Sequence, residues 1–225
     1  MNQTQKIHFL SDDYQLEAVI EYDGNHYSDI GDLQGVHEFA IICHPHPVHG
    51  GTMNNKVVFS ILKACISSKI PTLRFNFRGV GNSEGTFDDG RGEMQDLQSA
   101  IDYICEHFYP RHIRLGGFSF GSYIALQTYC SKTNKEQNIY AKPIIIAPPV
   151  GVDGYDFESL NPGEAIVVIG KKDEVVDAKK VNEWVFSRSG EIDYVYLARC
   201  EHFFHRNTTK LKNSLKSLIG TSPVS

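Results

Sequence analysis

Two serines in this chain have the Gly-x-Ser-x-Gly spacing that presents a nucleophilic hydroxyl: Ser119, between Gly117 and Gly121, and Ser83, between Gly81 and Gly85. A serine hydroxyl attacks an acyl carbon when a base accepts its proton and fixed donors hold the oxyanion, so either serine needs partners. Context separates the two. Ser119 directly follows the apolar run 113–118 and directly precedes a helical pattern from Gly121, which predicts a tight strand-to-helix turn with glycines where side chains would press on neighbours. A helix N-terminus below that turn favours developing negative charge. Ser83 instead runs on into the polar, glycine-rich stretch 82–93, and Glu84 would put a carboxylate beside a developing oxyanion. Ser119 is the expected nucleophile and Ser83 the alternative.

An acid and a base follow in chain order. Asp173 lies three residues past the apolar run 165–170 and is the expected orienting carboxylate; Glu174 and Asp177 compete, but Asp177 precedes "AKKVNEW", where an N-cap is expected. His202, on a loop after the run 194–198, is the expected base, and His205 is the alternative. In "HPHPVHGG", Pro45 and Pro47 have no N–H, so the first backbone donor past His44 is that of His46. Paired with the Phe120 N–H it would form an oxyanion hole.

The same loop carries a rival chemistry, since His44, His46 and His49 have the His-x-His-x-x-His spacing of some metal-dependent hydrolases. The dinuclear metallo-beta-lactamase pattern places Asp before the third His, where this chain has Val48, and His107 and His112 are the only histidines between His49 and His202. Loop packing around a pocket is the preferred reading, with no metal and no cofactor. A third class, a non-catalytic binding protein on a hydrolase scaffold, would tolerate a broken triad, yet no member is missing. His44, Phe118 and Phe203 are candidate pocket residues; Phe118, Phe120, Phe203 and Phe204 equally suit a core.

The elements that must position these groups emerge from alternation. Runs 39–44, 72–77, 113–118, 143–148, 165–170 and 194–198 suit buried parallel strands, and residues 6–10 and 14–22 suit a leading antiparallel pair. Helical stripes lie between them: Val58, Ile61, Leu62 and Cys65; Leu97, Ile101 and Ile104; Val181, Trp184 and Val185; then Leu211, Leu215, Leu218 and Ile219, ending at Gly220 with Pro223 beyond. This order builds an α/β fold, a mostly parallel sheet covered on both faces, with functional groups just past the carboxyl ends of the strands.

Composition bounds the partners. With 225 residues, one domain spanning 1–225 is expected. Hydrophobic residues at 41% and charged residues at 22% imply an ordinary soluble globular protein, without membrane association. A net charge of −5 with no Lys/Arg block argues against nucleic acid. The N-terminal stretch lacks a basic start followed by an apolar run, and the five cysteines are widely spaced in apolar surroundings, so a reducing, cytoplasmic compartment is expected. The sequence does not set the oligomeric state.

Taken together, "HPHPVHGGTMNNKVV", "FRGVGNSEGTFDDGRGE", "GFSFGS", "GKKDEVV" and "EHFFH" resemble the α/β-hydrolase superfamily, in particular a small bacterial group of it. The resemblance covers residues 44–205 and implies a three-layer fold with an eight-stranded, mostly parallel sheet whose second strand is antiparallel. It implies a nucleophile at Ser119, an acid at Asp173 and a base at His202, with "HPHPVHGG" similar to the family's oxyanion loop. Asn76 stands where many relatives have Asp, a departure that concerns loop geometry. About fifteen residues separate "PIIIAPP" from "AIVVIG", too few for a lid domain. Dienelactone hydrolases are similar in size and lidless, but carry Cys where Ser119 stands. The expected activity is hydrolysis of small carboxylic esters or thioesters; peptidase, lactonase or perhydrolase activity would use the same triad.

Overall fold

A computed structural model describes residues 1–133 and 139–220. Its frame is one eight-stranded sheet in the order β1-β2-β4-β3-β5-β6-β7-β8. The strands are β1 (Asn2–Ser11), β2 (Tyr14–Asp23), β3 (Glu38–Cys43), β4 (Thr72–Phe75), β5 (His112–Phe118), β6 (Tyr140–Ile146), β7 (Gly163–Gly170) and β8 (Gly190–Leu197). Strand β2 runs antiparallel to both β1 and β4, and every other pairing is parallel. The central strands β3, β4 and β5 are buried almost throughout, as continuous apolar runs covered on both faces require.

Five helices supply the cover: α1 (Lys56–Ser67), α2 (Arg91–Phe108), α3 (Phe120–Thr133), α4 (Ala178–Ser187) and α5 (Thr208–Ile219). Adjacent glycines on β5 reveal the two sides, because successive residues of a strand point to opposite faces. Gly116 faces Ile61 of α1, whereas Gly117 faces the backbone of α3 at Gly121 and Ser122. Helices α1 and α5 pack together on the first face, and α2 packs on α3 on the other. Phe157 links α3 to α4 through ring contacts with Tyr123 and Trp184. The anticipated stripes are buried, Val58, Ile61, Leu62 and Cys65 on α1, Leu97, Ile101 and Ile104 on α2, Val181, Trp184 and Val185 on α4, and Leu211, Leu215 and Ile219 on α5, whereas Leu218, also expected on the last stripe, is half-buried.

Boundaries depart from the sequence reading where polar residues pair. Strand β8 begins at Gly190 instead of 194, because the polar segment Gly190–Asp193 pairs in parallel with Gly163–Ile166 at the sheet's edge. Strand β4 stops at Phe75, two residues short of the expected run, although the Asn76 N–H still continues the ladder with β2 by donating to the Glu17 carbonyl at 3.0 Å. Gly220 follows α5 in a right-handed conformation (φ −74°), so the left-handed freedom of glycine is not used there. Pro223 lies outside the described residues. Sixteen residues, 147–162, connect β6 to β7, and no lid domain is inserted. The five cysteines form no disulfide.

Candidate active site

Ser119 occupies a forced backbone conformation. It follows β5 at φ +52°, a left-handed geometry that costs a non-glycine residue about 1 kcal/mol or more. The turn is locked from several sides: the Ser119 N–H donates to the Ile146 carbonyl at 2.9 Å, and its own carbonyl accepts from the Ser122 N–H at 2.9 Å and Oγ at 2.6 Å. A Cβ on Gly121 would overlap the carbonyl oxygens of Cys43 and His44, and one on Gly117 would overlap the Gly121 carbonyl. Only glycine allows α3 to press so closely on β3 and β5.

Strands β7 and β8 bring Asp173 to His202. The Lys171 N–H donates to the Leu197 carbonyl and the Lys172 N–H to that of Cys200, each at 2.9 Å, which ties the two post-strand loops together. His202 Nδ1 then sits 2.8 Å from Asp173 Oδ2 and 3.0 Å from Oδ1. Both side chains are shielded, at 3% and 0% exposure, so their interaction is little screened by water. Asp173 Oδ1 also accepts the N–H groups of Val175 and Val176, which fixes the carboxylate's orientation. The Phe118 ring packs on the imidazole at 4.9 Å between centroids. Of the competitors, Asp177 caps α4 through the Lys179 N–H, Glu174 accepts the His202 backbone N–H, and exposed His205 pairs with Glu201.

Ser119 and His202 face one cavity of about 300 Å3, whose wall includes Pro45, His46, Val175 and Phe203. His46 lies in the loop after β3 that the register Cys43↔Gly117 sets beside the serine turn. Among the described residues, neither the His46 N–H nor the Phe120 N–H donates to another protein group. Phe120 opens α3, where the first N–H groups have no intrahelical acceptor. Asn55 and Val175 also line the cavity and were not singled out from the sequence. Asn55 had a usable signal as the N-cap directly before α1, whose Val57 N–H it accepts at 2.8 Å; Val175 had none.

Two expected pocket residues lie beneath the cavity. Phe118 and His44 are fully buried and contribute no surface to it, whereas Phe203 is 40% exposed and lines it. His44 Nε2 accepts the Phe77 N–H at 3.1 Å, and Nδ1 donates to the Pro45 carbonyl at 2.6 Å. Burial pushes its pKa down to about 4, which keeps the ring in that neutral tautomer. With both nitrogens committed to backbone, His44 has no lone pair for a metal, so the three-histidine ligand set is incomplete. Ser83 is equally committed: its Oγ donates to the Asn76 carbonyl at 2.7 Å and accepts the Glu17 N–H at 3.1 Å.

The strand order, the single antiparallel β2 and the tight turn after β5 define an α/β-hydrolase fold. The family model for that fold matches residues 48–141. An uncharacterised protein of Rickettsia prowazekii is 35% identical over 191 residues, covering 81% of this chain and 78% of the relative. The structure of an α/β serine hydrolase homologue from Coxiella burnetii aligns with a TM-score of 0.84 and 35% identity, covering 96% of this chain and 97% of that one. A lidless α/β serine hydrolase from Xanthomonas campestris aligns with a TM-score of 0.84 and 29% identity, covering 98% and 97%. The chain belongs to the α/β-hydrolase family, in its lidless group, and is a hydrolase.

Proposed function

We propose that the protein cleaves small carboxylic esters or thioesters through an acyl-enzyme on Ser119. The observation that carries this reading is the convergence of Ser119 and the buried Asp173–His202 pair on one cavity. In the proposed cycle His202 takes the Ser119 proton as Oγ bonds to the acyl carbon, and Asp173 stabilises the resulting imidazolium. The His46 and Phe120 N–H groups hold the oxyanion, each contributing about 3 kcal/mol at the transition state. His202 then protonates the leaving oxygen or sulfur as its bond to the acyl carbon breaks. Water, activated by the same imidazole, releases the acid and restores the serine. No step requires a cofactor.

A cavity of about 300 Å3 in a fold without a lid suits a short acyl group better than a long lipid chain. The absence of disulfides supports a reducing compartment. Among the described residues, no helix is long and apolar enough to cross a membrane. The test is covalent labelling with a fluorophosphonate probe and peptide mapping, with and without chelator. An adduct at Ser119 that is insensitive to chelator is expected; an unlabelled Ser119 would overturn the reading.

A further inference from the structure

A second cavity, of about 310 Å3, lies between α1 and α5 and is lined by Lys56, Lys63 and Lys212 together with Phe59, Thr208 and Thr209. Residues 56, 59 and 63 share one face of α1, and 208 and 212 share one face of α5, so the packing of these helices brings three lysine side chains to one groove. No carboxylate lines the cavity, and among the described residues none of the three lysines has an ion-pair partner. On a chain of net charge −5 this is a local concentration of unneutralised positive charge. The first turn of α5 adds to it, because the Asn207 amide is turned away to the Arg199 and His205 carbonyls and does not cap the helix.

The groove adjoins the Ser119 cavity. Asn55 lines the catalytic cavity and caps α1, and the next residue, Lys56, lines the basic groove. We infer that the groove holds the phosphate end of the leaving group, and that the substrate is an acyl thioester of a long-armed, phosphate-bearing thiol. The groove runs along α1 from Lys56, next to Asn55, to Lys63 about two turns further from the catalytic cavity, so a linear arm must join phosphate to acyl carbon. This inference rests on the proposed esterase reading and narrows it. The Ser119 Oγ–acyl bond forms, the C–S bond breaks, and the His202 proton leaves with the thiol; water then releases the acid.

Binding to a Ser119→Ala protein tests the groove without turnover, using butyryl-coenzyme A and the phosphate-free butyryl-N-acetylcysteamine in calorimetry. The phosphate-bearing thioester should bind about tenfold or more tighter, an advantage that shrinks in about 0.5 M salt. Adding Lys63→Ala and Lys212→Ala should remove most of that advantage, whereas Lys63→Arg with Lys212→Arg should keep it. Equal affinity for the two thioesters, or an advantage that survives the alanine changes, would overturn the inference. Turnover by the unmodified protein separates the two levels. Hydrolysis of both thioesters with equal KM defeats the groove alone. Hydrolysis of neither, with no fluorophosphonate adduct, defeats the esterase reading, and the affinities still decide the groove.

Discussion

Asn76 donates its side-chain amide to Glu17 Oε1 at 2.6 Å while its Oδ1 accepts the Met53 N–H at 2.8 Å. That pairing accounts for an amide at this position. Glu17 also accepts from the Asn82 N–H and Nδ2; although burial raises its pKa, the amide donors outweigh it and hold the carboxylate below its ordinary range. Residue 76 must therefore offer a donor toward Glu17 and an acceptor toward Met53.

Asn76→Asp should consequently destabilise the protein by about 2 kcal/mol at neutral pH, through a lost donor and two facing carboxylates. Urea denaturation at pH 7 and pH 5 should show the penalty shrinking as one carboxylate takes up a proton. The fluorophosphonate reactivity of the folded protein should change little, because Asn76 touches neither Ser119 nor His202.

His44 should make stability pH-dependent. Its native pKa lies near 4, chiefly because of burial, against about 6.5 for an unfolded histidine. Above pH 6.5 both states are neutral and the full stability is present; as pH falls from 6.5 toward 4 only the unfolded chain binds the proton. This costs up to about 3 kcal/mol across that window. His44→Gln should be less stable at pH 7 but should have a flatter profile between pH 6.5 and 4. Parallel profiles for the two proteins would exclude His44 as the source.

The strain at Ser119 predicts an opposition between stability and activity. Ser119→Gly removes the Cβ from a residue at φ +52° and should exceed Ser119→Ala in stability by about 1 kcal/mol. Both variants should lose several orders of magnitude in kcat while keeping the native circular dichroism spectrum. Ester assays beside thermal melts give both quantities.

Two neighbouring aspartates should separate cleanly. Asp173→Asn should lower kcat by about a thousandfold or more, since the amide cannot stabilise the His202 imidazolium. Asp177→Ala removes the cap at the Lys179 N–H and should cost about 1 kcal/mol of stability with kcat unchanged. If Asp177→Ala lost activity and Asp173→Asn retained it, the orienting carboxylate would have to be reassigned.

Local pattern made much of this legible. The apolar runs predicted the strands, helical periodicity predicted the faces of α1, α4 and α5, and the glycines at 117 and 121 marked the tight turn at Ser119, because each signal is carried by residues close in the chain. The cap at Asp177 was readable for the same reason. The sequence also specified the order Ser119, Asp173, His202 and the donor left to His46 by its two flanking prolines.

Side-chain destination past a strand end is a different kind of quantity. His44 and Phe118 stand beside the site in sequence, yet adjacent strands and loops enclose both, and the Phe77 N–H claims a His44 nitrogen that sequence alone leaves free for a metal. Asn55, Val175 and the three-lysine groove arise where separate elements meet. Residue types and short-range spacing determined the available chemistry; only the packing of distant segments decided which polar atoms were consumed by backbone and which were left facing a cavity.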